Sequence, residues 1–356
     1  MKKLNVAIIG QGRSGRDIHG HYFRNFGTEL YNVVAVVDRD EKRRKRALEE
    51  YPGCEVFASY QELYGRTDID LVVNATISNE HFQIAKDLIE NGFNLLTEKP
   101  FARTRYECDE LIRLAKEKGV KLGVFQQTFL TPYYMKSQEV IASGKLGKIK
   151  QVDITFSGFS RRWDWQCAQR PMGGNIYNTG PHPIGLALGY LDFDKNFRVA
   201  FSSLDHVLSS GDSDDYAKII VTAPGKAVVD LEINNNDAYP ANTIKILGSK
   251  GTYTSTFGKY EMKYIVDGEN PERPLVLAPF ENEEGYPAYC SEKLITHEES
   301  GDFEGDFVEI ATSNYYQDMY DYITSGKALR VTPEHAAAII SVIETAHAEN
   351  PLEVKF

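Results

Sequence analysis

The sequence predicts an α/β chain of two domains. Residues 1–125 form a doubly wound parallel sheet, and 126–356 an α/β domain with a large open, mainly antiparallel sheet. Three observations predict this. The first third alternates short apolar runs with segments of helical spacing, the β-α-β-α order of a parallel sheet with right-handed crossovers. From about residue 149 apolar and polar residues alternate without long helical connections, as in an antiparallel or mixed sheet with one covered face. The 356 residues also exceed what one core organises.

The predicted strands of the first domain are 6–9, 33–37, 71–73, 95–97 and 122–125. Between them, Phe82, Ala85, Leu88 and Ile89 share one helical face, as do Leu111, Leu114 and Ala115, with Gly92 and Gly119 placed as C-caps. In the second domain Val152, Ile154 and Phe156 alternate with polar residues, and strand-like runs recur at 219–222, 228–233 and 243–247. The acidic stretch 268–306, rich in Gly, Pro and Tyr, reads as a long loop and a candidate lid. Two helices close the chain, at about 307–325 and 333–348, the second started by Thr332 as cap and Pro333.

The chain carries 51 acidic residues against 40 Lys and Arg, a formal charge of -11. That balance disfavours nucleic acid and anionic membrane surfaces as partners. No apolar run approaches the roughly 18 residues of a membrane span. The opening MKKLNVAIIG runs straight into a glycine turn rather than a cleavage site, so it reads as a first strand and the protein as cytoplasmic. Cys54, Cys108, Cys167 and Cys290 are scattered without a C-x-x-C pair, which points to isolated reduced thiols and to no metal site.

Gly10-Gln11-Gly12-Arg13-Ser14-Gly15 matches G-x-G-x-x-G between a strand and a helix. Gly10 permits the tight turn, Gly12 leaves room for a pyrophosphate, and Gly15 lets helix and strand pack, so phosphates meet free N–H groups at the helix start. Asp38 ends the second strand and suits both ribose hydroxyls of an adenosine while repelling an added phosphate, which favours NAD over NADP. In the run that follows, Arg39 and Arg43 are either a solvated helix face or groups that stack on adenine or tolerate that phosphate. Glu98-Lys99-Pro100 follows the strand 95–97 at the carboxyl edge of the sheet. A partly desolvated Lys99 suits proton exchange with a hydroxyl, and a plain loop lysine is the competing reading. Pro100 fixes the turn and is a candidate cis proline. Asn178 and His182, four apart after Gly173-Gly174, share a face if helical. The histidine can hydrogen-bond or relay a proton, and capping or packing is the alternative for both.

Taken together, VAIIGQGRSG, Asp38, VVNATISNEHFQIAKDLIENG, LLTEKPFA and GGNIYNTGPHPIG resemble, in order, the Gfo/Idh/MocA family of sugar and polyol oxidoreductases. The closing helical segment is similar as well. The resemblance implies a Rossmann domain holding NAD(P), with substrate between it and a second domain whose open sheet makes homodimer or homotetramer contacts. An open sheet face would expose apolar area that wants a partner. The resemblance also implies that Lys99 is the acid/base and that His182 flanks the reactive hydroxyl. Asn178 stands where the family has Asp, and Asn orients a hydroxyl without taking its proton. Gly185 likewise stands where the family often has an Asp. Further implied contacts are Ala75, Thr76, Asn79 and His81 at the nicotinamide end, Glu98 as a further cofactor contact, and Gln127 after the last Rossmann strand. Arg162, Trp163, Trp165 and Arg170 suit a sugar's C–H face, hydroxyls or carboxylate; Tyr315 and Tyr316 are further candidates. The expected activity is hydride transfer between NAD and a hydroxyl carbon of a sugar, inositol or sugar derivative. A redox-neutral glycoside-cleaving or eliminating enzyme, using tightly bound NAD with transient sugar oxidation, is the alternative, and a non-catalytic sensor a third reading.

Overall fold

A computed structural model describes residues 2–356. Six parallel strands form the first sheet: β1 (Leu4–Ile9), β2 (Tyr31–Val37), β3 (Glu55–Phe57), β4 (Leu71–Asn74), β5 (Leu95–Thr97) and β6 (Leu122–Val124). Their order is β3-β2-β1-β4-β5-β6. The order reverses between β1 and β4, the point where such sheets open a crevice at the carboxyl ends of their strands. A π-helical stretch, Arg13–His19, runs into α1 (Gly20–Asn25), and α2 (Glu41–Glu50), α3 (His81–Glu90) and α4 (Arg105–Lys118) follow. Thr104 caps α4 through a capping box and Gly119 ends it in the left-handed region, φ +69°. Strand β3 was not expected: three residues at a sheet edge give no readable alternation.

The second half starts with α5 (Pro132–Ala142) and builds an eight-stranded sheet. Its strands are β7 (Ile149–Ser157), β8 (Arg198–Asp205), β9 (Tyr216–Thr222), β10 (Val228–Asn234), β11 (Ile244–Gly248), β12 (Gly251–Ser255), β13 (Lys259–Tyr264) and, after the small pair β14 (Phe280–Glu281) and β15 (Pro287–Ala288), β16 (His297–Asp302). The order is β16-β13-β12-β11-β7-β10-β9-β8, antiparallel throughout except β7 with β10. The helices are α6 (Asn175–Asn178), α7 (Pro181–Tyr190), α8 (Phe307–Ser325) and α9 (Pro333–Glu349). Thr332 caps α9 as expected.

Period-two alternation divides each strand between two faces. On β1, Ala7 and Ile9 join a core with Ile84 and Leu88 of α3 and Leu111 of α4. Leu4, Val6 and Ile8 face the other way and pack with Ala311, Tyr315, Tyr316 and Met319 of α8. A helix from the far end of the chain thus covers one face of the first sheet, so the two halves do not separate cleanly in sequence. In the second sheet Val152, Ile154, Leu231 and Ile246 turn inward and are buried. The alternate positions carry Asp153, Thr155, Asp230, Glu232, Lys218 and Lys245, with Lys218 paired to Asp230 at 2.7 Å. The outer face is therefore mixed: charged and polar side chains stand beside the exposed Phe201 and Val228.

The expected long loop at 268–306 is corrected. It is an arm tied at its stem by Asn270 with Ile295 and by Arg273 with Glu292, and it ends in β16 at the sheet edge. None of its residues lines the cleft described below. Among the described residues no helix is long and apolar enough to cross a membrane, and the four cysteines are unpaired.

Candidate active site

A cleft of about 1280 Å³ opens at the β1–β4 switch point. Single-ligand pockets hold about 300–1,000 Å³, so this one has room for a dinucleotide and a substrate together. Gly10, Gly12, Arg13, Ser14, Asp38, Arg39, Ala75, Thr76, Glu98, Lys99, Gln127, Arg162, Trp165, Asn178 and His182 all line it. The sequence-derived set is thereby brought together from strand ends and loops up to about 170 positions apart.

The glycine turn fits a pyrophosphate on its own geometry. A Cβ on Gly15 would lie 1.9 Å from the Gly10 carbonyl oxygen, and one on Gly10 2.5 Å from the Ala75 oxygen, whereas one on Gly12 meets nothing within 4 Å and points into open space. The first-turn amides that follow have no partner within the helix. These facts separate two variants. Gly15→Ala should cost about 1–3 kcal/mol of stability through overpacking, read by denaturant unfolding. Gly12→Ala should leave that unfolding curve in place and weaken dinucleotide binding at least tenfold, read by calorimetry, because its methyl group fills only the space a phosphate needs.

Asp38 closes the adenosine end. Its carboxylate accepts from the backbone of Gln11 at 2.7 Å and of Asp40 at 2.8 Å, with Arg43 at 3.4 Å, while Arg39 pairs with Glu80 at 2.9 Å. Lone pairs remain on both carboxylate oxygens for ribose hydroxyls. Gln11 itself does not line the cleft; its buried side chain has no hydrogen-bond partner among the described residues, so its part is the backbone bond to Asp38.

At the other end, the Lys99–Pro100 bond is cis and Lys99 reaches across to the second half of the chain. Its Nζ donates to the Asn178 carbonyl at 2.7 Å. Burial lowers the Lys99 ammonium, Glu98 pulls it back up, and Arg13 and Arg162 push it down; the net result is below the usual lysine value. Burial alone would raise Glu98, but the hydrogen bond and charge of His19, with Lys99 and His81, outweigh it and hold the carboxyl down at about 2. Burial first and Lys99 second push His182 down to about 3, so its imidazole is neutral at neutral pH. One of its ring nitrogens bonds Thr128 Oγ1. His182 is therefore present as a neutral ring that can hydrogen-bond an oxygen in the cleft.

Asn178 and His182 do not share one helix. Asn178 ends α6 and His182 stands in α7, separated by a turn at Thr179-Gly180 that Pro181 closes, yet both face the cleft. Gln166 donates to Asn178 Oδ1 at 3.1 Å, which leaves the Asn178 amide nitrogen free to donate into the cleft. Arg162 is pinned to Asp164 Oδ2 at 2.8 Å and also bonds Gln166. Asp164, Gln166, Thr179 and Val308 line the site without having been singled out from sequence. Nothing in their local pattern marks them.

Several expected contacts lie elsewhere. Asn79 is the exposed middle of a single 3₁₀ turn, with Ser78 and Glu80 at the cleft in its place. His81 does line the cleft, but its ring nitrogens face the Pro100 and Thr76 carbonyls at 2.8 and 3.2 Å, a tie between two turns. Arg170 is exposed and its carbonyl is held by Arg103, outside the cleft. Trp163 is 79% exposed and off the cleft. Tyr315 and Tyr316 are core residues.

The fold and glycine turn define an NAD(P)-binding Rossmann domain joined to a second α/β domain, and comparison with known proteins agrees. Residues 4–126 match the model of the oxidoreductase family with an NAD-binding Rossmann fold, and residues 134–254 the GFO/IDH/MocA C-terminal domain. The chain belongs to the Gfo/Idh/MocA family. An uncharacterized oxidoreductase of Schizosaccharomyces pombe is 27% identical over 53% of this chain, which spans only 52% of that relative's length. The scyllo-inositol 2-dehydrogenase (NADP(+)) IolW of Bacillus subtilis is 23% identical over 96% of this chain and 92% of its own. A 2,7-anhydro-N-acetylneuraminate hydratase of Mediterraneibacter gnavus is 28% identical over 50% and 47%. Among solved structures, a 3-ketoreductase from Actinomadura kijaniata with NADP and TDP-benzene superposes with a TM-score of 0.77 at 18% identity, covering 98% of both chains. GenD2 from gentamicin A biosynthesis, with NAD, gives 0.75 at 21%, covering 98% of this chain and 95% of its own. At those identities the likeness is one of fold.

Proposed function

We propose that the protein is an NAD-dependent dehydrogenase that moves a hydride between nicotinamide and a hydroxyl-bearing carbon of a sugar, inositol or sugar derivative. The observation that carries this is the placement of a buried lysine of lowered basicity in the same cleft as the glycine turn and Asp38, opposite Asn178 and His182. Bound nicotinamide supplies the hydride acceptor or donor. Lys99 takes the hydroxyl proton during oxidation and returns it during reduction. His182, neutral, holds the reacting oxygen, and the Asn178 amide orients it. Trp165 offers an aromatic face to sugar C–H bonds and Arg162 hydrogen bonds to hydroxyls. NAD is preferred to NADP on the strength of Asp38, and the enzyme works in the cytoplasm with its cysteines reduced. The test is a screen of sugars, inositols and sugar acids with purified protein, following NADH absorbance and product mass together. NADH formed in step with product lighter by two hydrogens supports the proposal; no turnover with any polyol or sugar, in either direction, refutes it.

Redox-neutral cleavage with retained NAD is the second reading. It is favoured by the partial match to the anhydro-sialic acid hydratase and by Asn178, which cannot share the proton work of Lys99. In the same screen it predicts new product with no net NADH.

Asn178→Asp gives a second check. A carboxylate beside Lys99 favours the ammonium, so the lysine's pKa should rise by about one unit or more, and the pH profile of oxidation should move to higher pH by the same amount. We also infer self-association as a homodimer or homotetramer through the outer face of the second sheet. Because that face is charged, sedimentation should show the assembly weakening as salt rises.

A further inference from the structure

We infer that His19 is a positioning residue for the acid/base lysine, holding the Glu98 carboxylate oriented and ionised beside Lys99. This rests on the reading of Lys99 given above. His19 is fully buried on the last residue of the π-helical stretch that follows the glycine turn. The wider π turn closes with the Gly20 N–H on the Gly15 carbonyl, five residues back. From there the imidazole bridges two other elements: Nδ1 lies 2.8 Å from Tyr316 Oη on α8, and Nε2 lies 3.1 Å from Glu98 Oε1.

Two states of the ring satisfy all three groups, and in both Nε2–H donates to the carboxylate: in the neutral ring the Tyr316 hydroxyl donates to Nδ1, and in the imidazolium Nδ1–H donates to the Tyr316 oxygen. The opposite tautomer would set a nitrogen lone pair against a carboxylate. The second Glu98 oxygen accepts the Lys99 backbone N–H at 2.9 Å, so both oxygens are fixed. The charged and titratable groups facing Glu98 are His19, His81 and Lys99, with the Tyr315 and Tyr316 hydroxyls nearby. Those facing Lys99 are Glu98, Arg13, Arg162 and His182. Glu98 is the anion in that second set, and the two arginines oppose it. Whatever fixes Glu98 therefore sets how strongly Lys99 keeps its proton.

The chain of bonds holds protons in place rather than conducting them. Tyr316 is fully buried, stacked on Tyr22 at 4.4 Å and edged by Phe23, Tyr31 and Phe125, so the path ends in aromatic rings. The Tyr31 hydroxyl, donating to the Tyr316 carbonyl at 2.7 Å, fixes that end. Through this chain α8, from the distal part of the sequence, bears on the basicity of a lysine in the Rossmann half.

Competitive acetic anhydride labelling of the cofactor-free protein, with the Lys99 peptide read by mass spectrometry across pH, gives the lysine's titration midpoint without any substrate. Glu98→Gln and His19→Leu should each lower that midpoint by about one pH unit. His19→Gln, whose amide can still donate to Glu98, should return most of it. Tyr316→Phe should shift it the same way by less, and serves as the test if His19→Leu does not fold. The inference is overturned if Glu98→Gln moves the midpoint while His19→Leu or Tyr316→Phe leaves it at the wild-type value, or if Glu98→Gln itself moves nothing. Since no turnover is measured, these outcomes are separate from the role of Lys99 in the reaction, which the lysine variant tests.

Discussion

Lys99→Met is expected to lower kcat by roughly a hundred- to ten-thousand-fold, the range of one acid/base group, while a dinucleotide still binds. The expectation follows from place and protonation. The amine sits at the junction of the two halves, held by the Asn178 carbonyl at 2.7 Å, and burial lowers its basicity. Oxidation needs the free amine, so the wild-type rate should rise with pH through the lysine's pKa and level off below the usual lysine range. Reduction needs the ammonium and should fall over the same interval. His182, held at about 3, is neutral from weakly acidic pH upward and should add no limb near pH 6–7. In Lys99→Met the lysine limb should vanish along with most of the rate. Steady-state kinetics across pH checks each part, and a variant with wild-type kcat would remove Lys99 from the mechanism.

Asp38→Ala should show the second large effect, on the cofactor rather than on chemistry. The carboxylate has two tasks: it anchors the glycine turn through Gln11 and the start of α2 through Asp40, and it has lone pairs left for the adenosine ribose. Hydrogen bonds to a charged group contribute about 1.5–3 kcal/mol, so NAD should bind roughly ten- to a hundredfold more weakly. NADP should gain relative to NAD, because the repelling anion is gone and Arg43 loses the carboxylate it faces at 3.4 Å. Calorimetric titration of both dinucleotides measures the ratio. An unchanged preference would mean that Asp38 only supports the loop.

The cofactor half of this site was legible because its physics is local. A glycine turn, a strand-end acid and a lysine after a short apolar strand each depend on neighbours a few residues away, and each is where its pattern placed it. Predictions failed where position depends on distant packing. Asn79 and Arg170 sit in stretches that point toward the cleft by order along the chain, but a 3₁₀ turn faces one outward and Arg103 holds the other's backbone outside. Helical spacing linked Asn178 to His182, although the chain breaks between them and tertiary contacts restore the pairing. The outer face of the second sheet alternates as expected, but its pairing of Lys218 with Asp230 and Glu232 across strands is invisible in one dimension. His19 is the clearest case. Nothing near it in sequence distinguishes it from any polar residue on a helix, and its two partners are at positions 98 and 316.

The most direct test uses NADH carrying deuterium at both positions of the reactive ring carbon, incubated with the keto form of a substrate found by the screen. Hydride transfer in this cleft predicts product with deuterium on the newly formed carbinol carbon, at one label per molecule, and loss of that label transfer in Lys99→Met. Turnover that yields unlabelled product, with the deuterium still on the cofactor, would contradict it.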